Sequence, residues 1–88
     1  MLKLELDRNI DRFLSRIPVK HANQISKKIQ SLRSNPKPHD AKQLSGYDLL
    51  RADSGEYRII YQFDEEKLYI VLIGKRNDDE VYKILKRQ

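Results

Sequence analysis

The sequence contains no cysteine and no tryptophan, and only three glycines and three prolines in 88 residues. Without cysteine the chain can form no disulfide, thiolate metal site or cysteine nucleophile, so it needs no oxidising compartment. It also lacks an apolar run as long as a secretory signal or a membrane span. No internal repeat or low-complexity tract is visible, which excludes solenoids and disordered linkers. We therefore expect a soluble cytoplasmic protein.

Chain length limits the number of domains, and net charge limits the class of partner. A chain of this length has room for one hydrophobic core, so residues 1–88 are predicted to form a single domain. The 18 lysines and arginines outnumber the 13 aspartates and glutamates, giving a net charge of +5. This balance favours anionic partners such as nucleic acid, the ribosome or an acidic protein. Mild basicity is also common in proteins that bind none of these, so net charge alone does not assign a partner and the sequence motifs are needed to do so.

Apolar spacing in the first 34 residues predicts a strand followed by a helical hairpin. Leu2, Leu4 and Leu6 alternate with charged residues, the pattern of a short strand with one buried face. Asp7 is a candidate N-cap for the helix that follows. Apolar residues then recur twice at helical spacing: Ile10, Phe13, Leu14 and Ile17, followed after Pro18 by Ala22, Ile25, Ile29 and Leu32.

The second half of the chain is predicted to be mainly β-structure. Residues 35–46 are polar and rich in turn formers, which indicates a surface loop. Short turns at residues 53–55 and 64–66 favour antiparallel hairpins. The three expected strands run approximately from Tyr47 to Arg51, Tyr57 to Phe63 and Lys67 to Ile73. A short last helix follows, with Asn77 as a candidate cap and Asp78, Asp79 and Glu80 at its positive end.

Alternation assigns two faces to the middle strand. Tyr57, Ile59 and Tyr61 point one way and look like core, whereas Arg58 points the other way. In the last strand both alternating sets are apolar, so alternation does not say which is core. The predicted fold class is α+β: an N-terminal strand, a helical hairpin, a three-stranded antiparallel meander and a short C-terminal helix. We expect the helices on one sheet face and the Arg58 face to be more open.

Four short segments follow one another in the second half of the chain: Leu44-Ser45-Gly46, Gly55-Glu56-Tyr57-Arg58-Ile59-Ile60-Tyr61, Gly74-Lys75-Arg76 and Glu80-Val81-Tyr82. In this order they resemble the RelE/ParE toxin superfamily, and more closely its RelE branch. Each segment is weak alone, but the order of strand, helical hairpin, Pro-containing loop and these four segments matches the family across nearly the whole chain. The resemblance implies a RelE-like fold and a bacterial or archaeal toxin that is wrapped by a cognate antitoxin. For RelE-like members it also implies cleavage of mRNA on the ribosome.

The resemblance also implies site residues. Arg58 matches the family's phosphate-binding arginine, Arg76 the arginine that ends the last strand, and Tyr82 the tyrosine of the terminal helix. Arg51 falls where some RelE nucleases place a catalytic lysine. Leu49 stands where such enzymes often carry a second lysine, so the sequence does not identify the general base.

RNA cleavage of this kind needs no metal and no cofactor, because the 2′-hydroxyl attacks the adjacent phosphorus and leaves a cyclic phosphate. Arginine is suited to the charge that develops on the phosphoryl oxygens. The predicted catalytic residues are Arg58, Arg76, Tyr82 and Arg51, and the predicted RNA-binding residues are Lys75, Lys42, Lys37 and His39. In the structural alternative the arginines pair with nearby aspartates such as Asp53, Tyr82 only packs, and His39 is a solvated loop residue.

Three functions remain open at this point. The first is a ribosome-dependent mRNA endoribonuclease toxin with an antitoxin, the ribosome and mRNA as partners. The second is a ParE-like toxin that inhibits DNA gyrase by binding, which the presence of Leu49 supports. The third is a non-catalytic family member.

Overall fold

The computed structural model describes residues 1–77 and 80–87. Within these residues lie β1 (Lys3–Leu6), α1 (Arg8–Arg16), α2 (Val19–Ser34), β2 (Lys42–Gln43), β3 (Leu50–Ser54), β4 (Tyr57–Phe63), β5 (Lys67–Lys75) and α3 (Glu80–Lys86). Asp78 and Asp79, predicted at the start of the last helix, lie outside the described residues. In the described part of the chain, no helix has both the length and the apolar character needed to cross a membrane.

The strands form one mixed sheet in the order β1-β5-β4-β3-β2. The pairs β2–β3, β3–β4 and β4–β5 are antiparallel, whereas β1 is parallel to β5. A parallel neighbour requires a long connection, which the helical hairpin and the meander supply here. The predicted α+β class, with its strand, hairpin, meander and terminal helix, is confirmed.

Two details of the meander differ from the prediction. Lys42–Gln43 forms a short edge strand inside the predicted loop, and β3 runs from Leu50 to Ser54 instead of from Tyr47 to Arg51. The cause is a tight turn between these strands, in which the Tyr47 amide donates to the Leu44 carbonyl at 3.2 Å. Gly46 has a φ of 83° in this turn, a backbone conformation that glycine adopts without steric cost.

The helical hairpin packs on the sheet face that carries Tyr57, Ile59 and Tyr61, as predicted. Asp7 caps α1, because its carboxylate accepts a hydrogen bond from the Asn9 amide at 3.3 Å. The buried residues of this core are Ile10, Ile25, Ile29, Leu32, Ala52, Tyr57, Ile59, Tyr61, Leu68, Ile70 and Ile73. This core joins both helices of the hairpin to β3, β4 and β5.

A β-bulge explains why alternation did not assign the faces of β5. Ile60 pairs with Leu72 while Tyr61 pairs with Ile70, so Val71 is an extra residue in β5. Leu68 and Ile70 therefore face the hairpin before the bulge, and Ile73 faces it afterwards. Each apolar set contributes to the core on a different side of the bulge.

The short helix α3 packs on the opposite face of the sheet, so only α1 and α2 share the predicted face. Its buried residues, Val81 and Leu85, contact a second cluster that contains Ile60 and Leu72. These strand residues form an apolar patch that helices on one face alone would leave exposed to water. The Arg58 face is therefore partly covered, and α3 is the element that brings Tyr82 to it.

Candidate functional site

Strand register places Arg58 between Asp53 on one neighbouring strand and Gly74 on the other. Directly opposed residues in an antiparallel pair project to the same face, so Asp53 and Arg58 share the face covered by α3. A Cβ added at Gly74 would lie 2.8 Å from Val81 Cγ1, because α3 approaches the strand closely there. The absence of a side chain at Gly74 thus lets α3 dock where Tyr82 reaches Arg58.

The Arg58 guanidinium is held by two side chains. Its Nε donates to Asp53 Oδ1 at 3.1 Å, and its Nη1 donates to the Tyr82 hydroxyl at 3.3 Å. The guanidinium carbon also lies 5.7 Å from the centre of the Tyr82 ring, within cation–π range. The Arg58 side chain is only 12% exposed, so its position is fixed by protein contacts rather than by solvent.

Asp53 also binds Arg76, so one carboxylate joins two guanidinium groups. Arg76 Nε lies 3.4 Å from Asp53 Oδ2, and its Nη1 donates to the Gly55 carbonyl at 3.1 Å. The backbone amide of Arg76 donates to the Glu56 carbonyl at 3.0 Å, which fixes the chain after β5 against the β3–β4 turn. The pairing with Asp53 that the structural alternative proposed is therefore present, and it brings Arg58 and Arg76 together with Tyr82.

Arg51 lies on the same face as Asp53, two residues earlier on β3 and diagonal to Arg58. Together with Tyr82 and Lys86 it lines an open cleft of about 350 Å³ between the β2–β3 turn and α3. Sequence reasoning missed Lys86 and the organising role of Asp53. Both had a signal: Lys86 follows Tyr82 by one helical turn, and Asp53 faces Arg58 across a short hairpin.

The predicted RNA-binding residues divide between different surfaces. Lys42 pairs with Arg51, so it belongs to the cleft face at the edge of the sheet. Lys75 pairs with Tyr57, which places it on the hairpin face, away from Arg58. The structure therefore brings Lys42 towards the site and does not bring Lys75 there.

Lys37 and His39 are exposed in the loop before β2. Lys37 lines a separate cleft of about 240 Å³ that also contains Leu49. The loop is fixed at two points: the Tyr61 hydroxyl donates to the Pro36 carbonyl at 2.7 Å, and Lys28 pairs with Asp40 at 2.9 Å. Burial raises the pKa of Tyr61 to about 12, so this hydroxyl remains a donor across the neutral range. The hydrogen bond from Lys28 lowers the pKa of the Asp40 carboxyl.

These contacts define an anion-binding arrangement. Guanidinium groups remain protonated at neutral pH and donate planar pairs of hydrogen bonds to phosphate oxygens. Two of them are fixed around one carboxylate, a phenol adjoins the first, and Arg51 and Lys86 add positive charge along the cleft. Such a set can hold one phosphodiester and stabilise additional negative charge on it.

The fold and this cationic site define a small basic α+β domain with an anion-binding face. The model of the ParE toxin of type II toxin–antitoxin systems, parDE, matches residues 4–80. The chain belongs to this toxin family, and the predicted membership of the RelE/ParE superfamily is confirmed. A sequence search of curated proteins finds no significant match.

Solved RelE structures share the fold. A mutant of the E. coli toxin RelE in the free state is 23% identical, with a TM-score of 0.76, and the match covers 98% of this chain and 96% of that one. RelE from an archaeal RelE–RelB complex of Pyrococcus horikoshii is 24% identical, with a TM-score of 0.75 and coverage of 85% and 94%. A Methanococcus jannaschii RelB–RelE complex gives 17% identity and a TM-score of 0.69, with coverage of 89% and 96%.

Proposed function

We propose that this toxin is a ribosome-dependent mRNA endoribonuclease that inhibits translation in the cytoplasm. The observation that carries the proposal is the contact between Arg58 Nη1 and the Tyr82 hydroxyl at 3.3 Å, beside the second guanidinium that Asp53 holds. Two fixed cations and a phenol at one point suit a phosphodiester whose charge increases during cleavage.

In the proposed reaction the 2′-oxygen of one nucleotide attacks the adjacent phosphorus, and the bond from phosphorus to the 5′-oxygen breaks. The products are a 2′,3′-cyclic phosphate and a 5′-hydroxyl, so no water is consumed in this step. Arg58 and Arg76 stabilise the charge on the phosphoryl oxygens, and the Tyr82 hydroxyl donates a proton to the leaving 5′-oxygen.

The 2′-hydroxyl must lose its proton in the same step. Its acceptor is then a water molecule or a group of the ribosome–mRNA complex, because no imidazole or carboxylate is among the described residues that line the cleft with Tyr82, and the nearby Asp53 carboxylate is already paired with Arg58 and Arg76. Leu49 lies instead in the neighbouring cleft with Lys37. Because the proton acceptor lies outside the toxin, RNA cleavage depends on the ribosome, which also holds the mRNA in the in-line geometry that the attack requires.

An antitoxin is the second proposed partner. The family is one of toxin–antitoxin systems, and several structures of the same fold are RelE–RelB complexes. The net charge of +5 favours an acidic segment of such a partner.

The test is induction of the wild type and of Arg58→Ala, Arg76→Ala and Tyr82→Phe, with growth and transcript ends measured together. We expect cuts within translated codons, ends that carry 2′,3′-cyclic phosphates, loss of both effects in the arginine variants and a clear reduction for Tyr82→Phe. Arg16→Ala removes an exposed arginine of α1 and is the matched control. Growth arrest without cuts in translated codons would contradict the proposal.

A ParE-like gyrase inhibitor is the second candidate, favoured by the match to the ParE toxin model and by Leu49. Purified toxin would then inhibit supercoiling by gyrase in vitro, and transcripts would stay intact. Inhibition of supercoiling that survives Tyr82→Phe, without any RNA cleavage, would support this candidate over the nuclease.

A further inference from the structure

Tyr47 is the one aromatic side chain that the described part of the structure leaves exposed, at 38% of its surface. Of the other aromatic residues, Phe13, Tyr57, Tyr61 and Phe63 belong to the core beneath the hairpin, Tyr69 donates a hydrogen bond to Asp7, and Tyr82 packs against the α3 cluster. An exposed tyrosine alone is unremarkable on a protein surface. The position of Tyr47 beside the cationic cleft is what gives it significance.

The turn that carries Tyr47 is anchored at its base. Leu44 is buried in the cluster beneath α3, and its amide donates to the Leu49 carbonyl at 2.9 Å. The Tyr47 amide closes the turn by donating to the Leu44 carbonyl, with Gly46 in its left-handed conformation between them. Because both ends of the turn are held, the backbone that carries Tyr47 is already ordered, which reduces the entropy lost on binding.

The surroundings of Tyr47 combine every kind of group that recognises a nucleotide. The cleft of about 350 Å³ that it lines is also lined by Ser45, by the cations of Arg51 and Lys86, and by Tyr82. Single-stranded RNA is bound by stacking of bases on aromatic rings, with amides and hydroxyls at the base edge and cations along the backbone. The cleft provides all three.

We infer that Tyr47 and Ser45 form a nucleobase-binding subsite for a nucleotide next to the phosphate held at Arg58. The inference rests on the proposed function, because it assigns the second part of the same RNA site. The base stacks on the Tyr47 ring, the Ser45 hydroxyl bonds to its edge, and Arg51 and Lys86 bind the adjoining backbone.

The first test measures binding of the full-length chain to an uncleavable 2′-O-methyl RNA hexanucleotide. We expect Tyr47→Ala to weaken binding roughly 5- to 150-fold, the range for loss of one base–aromatic stack. Tyr47→Phe keeps the ring and should bind within about twofold of wild type on the same basis. An abasic probe of equal charge should bind wild type and Tyr47→Ala equally, since it offers no base to stack.

The second test is spectroscopic. The chain has no tryptophan, so Tyr47→Trp introduces the sole indole. Stacking of a base should quench its emission when the hexanucleotide is added, and the abasic probe should not. Val19→Trp is the matched control, because Val19 is exposed at the start of α2, and α2 packs on the sheet face opposite the cleft.

The outcomes separate this inference from the proposed function. Binding that depends on Tyr47, in a protein that makes no cuts in translated mRNA, would support the subsite and reject the nuclease. Cleavage of translated mRNA with equal RNA binding by wild type and Tyr47→Ala would reject the subsite and retain the nuclease. Absence of any binding by the wild type, or equal quenching at positions 47 and 19, would overturn the inference.

Discussion

Replacement of Asp53 tests the central geometric claim, that one carboxylate holds both guanidinium groups in place. In Asp53→Ala, Arg58 loses the acceptor of its Nε and Arg76 loses its carboxylate partner. Among the side-chain contacts described for them, Arg58 would keep only the one to the Tyr82 hydroxyl, and Arg76 only the one to the Gly55 carbonyl. Two neighbouring positive charges would also repel each other without the negative charge between them.

The two contacts differ in strength because they differ in exposure. The Arg58 side chain is 12% exposed, so its hydrogen bond to a charged group is expected to contribute about 1.5–3 kcal/mol. The Arg76 side chain is 48% exposed, and a pair of that kind contributes about 0.2–1 kcal/mol. Their combined loss is about 2–4 kcal/mol, which for a domain of this size lowers the Tm by roughly 10–25 °C.

Thermal unfolding followed by circular dichroism measures this loss. Asp53→Asn keeps an acceptor but not the charge, so it should fall between wild type and Asp53→Ala. Added sulfate should stabilise the Asp53 variants more than the wild type, because the anion can replace the carboxylate between the guanidinium groups. Glu65→Ala, in the exposed β4–β5 turn, corrects for the general effect of sulfate on stability.

Activity gives an independent readout. Cleavage by Asp53→Asn should fall about 10- to 100-fold, because small displacements of a positioning group reduce the rate on this scale. A Tm for Asp53→Ala that stays within about 2 °C of Glu65→Ala would refute the energetic reasoning, since the two charge-assisted contacts would then contribute almost nothing.

Two further predictions concern stability. Gly74→Ala places a methyl group 2.8 Å from Val81 Cγ1, so α3 must move, and chemical denaturation should show a loss of about 1–3 kcal/mol together with lower activity. The hydrogen bond from the Asn9 amide is the main cause that lowers the pKa of Asp7, and the hydrogen bond from the Tyr69 hydroxyl lowers it further. The ionised Asp7 carboxylate therefore stabilises the folded state at pH values above its pKa in the unfolded chain, and this stabilisation is lost as pH falls through its pKa in the folded protein. The difference in unfolding free energy between wild type and Asp7→Asn should shrink as pH falls below about 4, and a constant difference would contradict this.

Sequence periodicity was sufficient for most of the architecture. The strand at Leu2 to Leu6, the two helical stripes and the bounds of β4 follow from local patterns that tertiary contacts reinforce. The predicted start of β3 was wrong because the turn at Gly46 uses residues whose propensity also suits a strand. The edge strand β2 was missed because two polar residues carry no alternation, and their strand geometry comes from pairing with Arg51 and Leu50.

The candidate site, like the fold, could be predicted only in part from the sequence. Family-like motifs in the sequence selected Arg58, Arg76, Tyr82 and Arg51 as candidates, and residue type alone established their charge. The sequence could not show that Lys75 projects to the hairpin face, because strand register decides the direction of each side chain. It also could not show that a carboxylate joins the two arginines.

What the sequence determined by itself is the local chemistry: which of the longer segments are helix or strand, and which residues carry charge or a hydroxyl. The tertiary structure decided which of these groups meet. Helix α3 crosses to the second face only because Ile60 and Leu72 make that face apolar and Gly74 leaves room for Val81. Tyr82 reaches Arg58 because residues far apart in the chain pack together, a relationship that no local pattern encodes.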